Sequence, residues 1–284
     1  MTDPLFDLLR PERLTVVVDI GANPLESKPP YQRMLERRLC RVIGFEPQPE
    51  GLAALNARKS DLETYLPYVV GDGTSTTLKV CHKPGMTSLL TPDPVALRHF
   101  AGFSEWGQVL REISVKTYRL DDIAEINAVD YLKMDVQGSE LAILRNAADR
   151  LKGVVAIQSE ISFIPLYQGQ PGFGEIDREL RGAGFVPHMF ASIDKRLIAP
   201  MVGNNPYAAM NQLMEADIVY VRDFMRPEGM SAEQLKHLAI VAHHCYGSID
   251  LATNCLHHLS RIGAAPPDAT QRYLAMLQRP AQSG

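Results

Sequence analysis

The 284-residue sequence is poor in cysteine and tryptophan, with four of one and one of the other. Cys40, Cys81, Cys245 and Cys255 are scattered and form no CxxC pair, so a disulfide frame is not expected and the thiols read as buried in a reducing compartment. No apolar run is long enough for a transmembrane helix. The opening MTDPLFDLLRPERL carries acids where a signal peptide would carry an apolar segment. The expectation is a cytoplasmic protein. An excess of positive charge is also missing: 29 basic against 33 acidic residues leave a net charge of −4. Neither nucleic acid nor an anionic membrane is expected as a partner. Finally, there is no GxGxxG, which argues against a dinucleotide pyrophosphate loop.

What is present is a run of buried strands, several ending in an acid. Residues 15–20, TVVVDI, are β-branched and continuous, as in a strand covered on both faces. They lead into Gly21-Ala22-Asn23, a turn where glycine permits close backbone approach. PLESKPP follows, and its three prolines delay the next helix to about Tyr31. Residues 41–46, RVIGFE, end in Glu46 and are stopped by Pro47; a helix is expected over 50–58. Further strands are expected at 64–71, 76–81, 113–118, 154–160, 185–192 and 216–222. The stretch 131–146, YLKMDVQGSELAILRN, reads as strand, acid, tight turn and amphipathic helix. Between 82 and 107 lies a long irregular connection holding Trp106, and 193–215 reads as an insertion with Lys195, Arg196, Asn204, Asn205 and Tyr207.

This alternation predicts an α/β fold: a Rossmann-like, doubly wound, mostly parallel seven-stranded sheet with a terminal antiparallel strand, over residues 1–225. Residues 226–284 are expected to form a C-terminal helical extension and tail. Ser231 and Gln234 form a capping box. Apolar residues then recur at 235, 238, 242, 245, 249, 252, 256 and 259. This seam fits one long helix, or two broken at Gly247-Ser248, covered by the core or by a second copy in a homodimer. His243, His244, His257 and His258 fall on the outer face and read as solvated rather than as metal ligands; no metal site is expected. The tail from 263 reads as frayed.

In an open parallel sheet, ligands bind beyond the carboxyl ends of the strands. Asp19, Glu46, Asp135 and Glu160 stand at such ends, with Asp72 in a glycine turn. So many acids on one rim repel unless they meet cations or hydrogen-bond donors. S-adenosylmethionine offers both: a sulfonium, an ammonium, a ribose diol and an adenine amine. A nicotinamide cofactor would want the missing glycine loop instead.

These residues resemble the FkbM-type class I methyltransferases. The likeness rests on VVVDIGAN at 16–23, GFEPQP at 44–49, VVGDG at 69–73, GMTSLL at 85–90, YRLDDI at 118–123, YLKMDVQGSELAIL at 131–144 and ADIVYVRD at 216–223. It spans residues 14–224 in order. It implies an S-adenosylmethionine-dependent methyltransferase, usually acting on a hydroxyl of a sugar or other small metabolite. Carried over by position, Asp19, Gly21, Ala22 and Asn23 would shape the methionine pocket. Glu46, followed by Pro47, would hold the ribose diol, Asp72 would sit near adenine, and Ser88 and Asp135 would complete the cofactor site. Asp135 is the first candidate base for an attacking hydroxyl, with Glu160 and Glu140 next. Two departures stand out: PLESKPP replaces a second glycine after Asn23, and Gln137 stands where the family usually has Glu. They motivate an alternative, a catalytically silent methyltransferase-like binding or scaffold protein. Lys195 and Arg196 could line an acceptor pocket, but such a loop is more often solvated; His82 and His99 read as surface loop residues.

Overall fold

The computed structural model describes residues 3–23, 28–201, 203 and 205–278. Residues 24–27 of the proline-rich loop, Asn204 and the end of the tail from 279 lie outside the described residues.

The chain opens with α1 (Pro4–Leu9), capped by Asp3, whose carboxylate accepts from the Leu5 and Phe6 N–H groups. Then come β1 (Thr15–Ile20), a five-residue α2 (Gln32–Glu36), β2 (Cys40–Phe45), α3 (Pro49–Arg58) and β3 (Glu63–Leu66). The strand expected over 64–71 divides. Pro67 has no N–H to continue the ladder, so β3 stays in the main sheet. Beyond it β4 (Val69–Val70) joins β5 (Ser75–Cys81) in a separate small sheet. The long connection folds into two short helices, α4 (Pro94–Leu97) and α5 (Phe103–Trp106), before β6 (Val109–Tyr118) completes the small sheet between β4 and β5.

The chain then returns to the main sheet with β7 (Tyr131–Met134), followed by α6 (Glu140–Arg145), α7 (Ala148–Leu151) and β8 (Ala156–Ser162). Helix α8 (Phe173–Gly182) leads to β9 (Phe185–Arg196) and β10 (Gln212–Arg222). The insertion expected at 193–215 is shorter than its length suggested, because both hairpin strands run into it. The seven strands lie in the order β3-β2-β1-β7-β8-β10-β9, with β10 antiparallel to both its neighbours. That is the doubly wound, mostly parallel sheet read from the alternation of strands and helices.

The strands are apolar because they are covered on both sides. Val17 belongs to one core cluster and Val18 to the other. The second cluster lies under α6, α7 and α8. The first is covered by α1, α2 and the C-terminal helices α9 (Ala232–Tyr246), α10 (Ile249–Arg261) and α11 (Ala269–Leu277). Gly247, in the left-handed region at φ 61°, ends α9, so the seam is carried by two helices. Leu235, Leu238, Ala252, Leu256 and Leu259 are all buried in the same cluster as Val17, Val42 and Val219 of the sheet. The seam is therefore covered by the chain's own core.

Two expectations for this region are corrected. His244 is buried, packed edge-on against His243 and 3.4 Å from the Asp3 carboxylate, because α1 covers that face. The segment from 263 does not fray throughout: α11 buries Ala269 and Tyr273, and the Tyr273 hydroxyl lies 3.0 Å from His243 Nδ1. A third, smaller core (Met86, Phe100, Phe103, Leu166, Tyr167, Met214) gathers the long connection over the carboxyl end of the sheet.

Candidate active site

The carboxyl ends of β1, β2 and β7 surround a cleft of about 760 Å³. Its apolar side is Phe45, Tyr68, Val70 and Leu78, suited to a flat base. Its polar side is Glu46, Ser88 and Asp135. Gly21 closes one wall at φ 86°, and a Cβ there would stand 2.0 Å from the Asp135 carbonyl oxygen. Only glycine lets the first and fourth loops of the sheet approach this closely.

Glu46 ends β2 with its side chain 6% exposed, and its Oε1 accepts from the Gln48 N–H at 2.7 Å. Its other oxygen has no protein partner among the described residues. Burial holds the carboxyl above its ordinary range, against the pull of that N–H. A buried acid with a spare acceptor oxygen, facing a cleft walled by aromatic rings, suits a vicinal diol. The residues present thus fit an adenosine-bearing cofactor.

The turn after β7 is built on Gln137 and Gly138, both at positive φ, 55° and 100°. Glu140 turns back to accept from the Val136 and Gly138 N–H groups at 3.0 and 3.3 Å. Its carboxylate is turned into this turn rather than into the cleft. Burial, with Asp135 nearby, pushes its carboxyl up to about 7.

Gln137, not singled out as a site residue by sequence reasoning, is the hub. Its Nε2 donates to Asp135 Oδ1 at 3.0 Å and Glu160 Oε2 at 2.8 Å. Its Oε1 lies 3.2 Å from the Tyr167 hydroxyl, and its carbonyl accepts from Ser88 Oγ at 2.7 Å. Glu160 is thus tied to the site through an amide rather than facing the cleft. Burial, and then the charge of Asp135, push its carboxyl well above the usual range. Glu215 is pushed up to about 7 by burial and by Asp194.

Two further positions differ from expectation. Asp72 is exposed and caps its own turn, accepting from the Thr74 N–H at 2.9 Å and the Thr74 hydroxyl at 2.7 Å. It does not line the cleft, although Val70 and Leu78 on either side of it do, because its carboxylate is turned into its own turn. Asp19 is buried on the opposite side of the Gly21 turn, held by the Tyr31 hydroxyl at 2.6 Å and Lys133 at 3.2 Å. Together with Ala22 it lines a second cleft, of about 1340 Å³. Pro47 lines the first cleft, and Asn23 and Asp135 line both. Arg196 pairs with Asp194 at 2.9 Å, Lys195 is exposed, and His82 lies 3.6 Å from Glu105; none of them lines either cleft.

A sheet of this order, with a buried acid closing the second strand and a glycine turn closing the first, defines the Rossmann-like, S-adenosylmethionine-dependent methyltransferases. The model of the methyltransferase FkbM domain matches residues 19–187, more than half of the sequence, and the chain belongs to that family. A search of curated proteins finds no match. Among solved structures, the chain is similar to magnesium protoporphyrin IX methyltransferase from Synechocystis PCC 6803 with bound SAM. That match has 10% identity, covers 74% of this chain and 71% of the other, and has a TM-score of 0.39. It is also similar to a precorrin-6y C5,15-methyltransferase from Geobacter metallireducens GS-15 (13% identity, 77% and 86% covered, TM-score 0.34). A TehB-like SAM-dependent methyltransferase from Corynebacterium glutamicum matches at 12% identity, with 77% and 85% covered and a TM-score of 0.31. No helix among the described residues is long and apolar enough to cross a membrane.

Proposed function

We propose that this chain is an O-methyltransferase, moving the methyl group of S-adenosylmethionine to a hydroxyl of a sugar or other small metabolite. The observation that carries the reading is Asp135: it is the acid that lines both clefts, so it can meet cofactor and acceptor together. Glu46 would hold the ribose diol, and Phe45 and Tyr68 would flank the base. The cofactor, when bound, supplies a methyl group on a sulfonium, open to in-line displacement.

The chain's own part is alignment and proton removal. Alignment supplies most of the rate in such a displacement. The hydroxyl loses its proton as it attacks. Asp135 keeps one carboxylate oxygen for that proton, because Gln137 fixes the other at 3.0 Å.

Calorimetric titration with S-adenosylmethionine and S-adenosylhomocysteine, wild type beside Glu46→Ala, tests the cofactor site. Binding that Glu46→Ala abolishes supports it. If neither ligand binds the wild type, the silent binding or scaffold reading replaces it. Turnover on hydroxyl acceptors, lost in Asp135→Asn while adenosylhomocysteine still binds, tests the rest.

A further inference from the structure

The second cleft is floored by polar residues set inside the central strands of the sheet. Asp19, Lys133 and Gln158 stand side by side in register across β1, β7 and β8, the middle of the sheet. Central parallel strands covered on both faces are otherwise apolar. Buried polar groups cost stability unless they are bonded. Lys133 is 12% exposed at its side chain and Gln158 5% exposed.

Gln158 is also oriented. Its Oε1 accepts from the Tyr246 hydroxyl at 2.9 Å and the Tyr131 hydroxyl at 3.3 Å. That turns its amide nitrogen, which has no protein partner among the described residues, toward the cleft. Asp217 and Asp135 add acceptors, and the half-buried Tyr65 ring, lying across Gly44, adds a flat wall. Among the described residues, only the five-residue α2 follows β1 on this face. At the mouth stand Lys28, Arg58 and Lys59, none of which makes an ion pair or hydrogen bond through its side chain to another described residue.

We propose that the second cleft is the acceptor site, and that the acceptor is a polyhydroxylated small molecule carrying an anionic group. The hydroxyls meet Gln158, Lys133, Asp217 and Asp135 on the floor. The anionic group, phosphate or carboxylate, meets the three cations at the mouth. This rests on the methyltransferase reading, since it takes Asp135 as the shared wall between cofactor and acceptor.

The test titrates the full chain with glucose 6-phosphate, glucuronate and glucose, each with and without saturating adenosylhomocysteine. Wild type is compared with a Lys28→Ala/Arg58→Ala/Lys59→Ala variant, whose changes are all at exposed positions; its thermal melt reports that it is folded. The expected result is binding of the anionic sugars about tenfold or more tighter than glucose, weakened by salt as charge pairing requires, and lost in the triple variant. Tighter glucose 6-phosphate than glucuronate assigns a phosphate; the reverse assigns a carboxylate. Equal binding of all three sugars, no binding of any, or a preference that survives in the triple variant would overturn the proposal. So would displacement of the anionic sugars by adenosylhomocysteine, which would give the cleft to the cofactor's own amino-acid end. Failure of adenosylhomocysteine to bind counts against the methyltransferase reading alone, because sugar binding is also read without it.

Discussion

Replacing Gln137 by Glu keeps the shape of the side chain and reverses its role. The amide nitrogen donates to Asp135 at 3.0 Å and Glu160 at 2.8 Å. A carboxylate there donates nothing and adds a charge beside the acids Asp135 and Glu160. Losing two hydrogen bonds to charged or titratable acceptors costs about 1.5–3 kcal/mol each. Like charges at contact repel by about 4 kcal/mol at an effective dielectric of ~20. Protonation caps that repulsion, since protonating an ordinary glutamate costs only about 3–4 kcal/mol near neutrality.

Gln137→Glu should therefore cost about 6–10 kcal/mol at a pH of about 8, most of an ordinary domain's stability. The cost should fall by half or more at a pH of about 5. The sign follows from linkage. Glu140 and Glu215 are already pushed up to about 7, and Glu160 upward as well. The folded chain holds protons that the unfolded chain has released. The stability this contributes is full below the ordinary Glu range and is lost as pH rises through about 7. Denaturant melts of wild type, Gln137→Glu and Gln137→Met at both pH values measure it. Gln137→Met removes the hydrogen bonds without adding charge, so its cost should vary less with pH than that of Gln137→Glu. A Gln137→Glu protein within about 1 kcal/mol of wild type at the higher pH would refute the reasoning.

Three other outcomes are expected. Gly21→Ala should cost about 3 kcal/mol or more and abolish adenosylhomocysteine binding, because it combines a left-handed backbone with a contact on the Asp135 carbonyl; a normal melt would show that the turn can relax. Adenosylhomocysteine affinity should fall as pH drops through the raised range of Glu46, since a ribose diol favours the carboxylate; a flat pH profile that also persists in Glu46→Gln would remove Glu46 from the site. Ending the chain after Arg226 should expose the face of Val17, Val42 and Val219 that α9 and α10 cover, giving aggregation; a soluble, monomeric fragment with an unchanged melt would contradict this.

The strands and the helices after them were legible because their side chains obey simple periods, and because Asp19, Glu46 and Asp135 end their strands abruptly. What escaped was set by neighbours distant in the chain. That α9 and α10 meet the sheet rather than another copy depends on five covering helices agreeing on one face. Asp72 was placed near adenine by position, yet its carboxylate caps its own turn through Thr74. Gln137 was visible as an odd letter, but its two acceptors come from its own turn and from the next strand. Lys133 and Gln158 were the readable clue to the second cleft: polar letters inside YLKM and AIQSEIS, strands otherwise buried.

The strand order also bears on how the protein comes off the ribosome. β10 is the last strand made, yet it lies between β8 and β9. Until residue 222 has emerged, β9 has no partner and the edge of β8 stays open. The exposed Phe190 and Ile193 of β9 are then offered to any passing strand. The nascent chain must wait for its final strand before the sheet can close, and for α9 and α10 before that face is shielded. Synthesis that stalls before β10 is made would leave a sticky intermediate. Aggregation during expression should therefore track translation rate over residues 197–222 more than the stability of the finished fold.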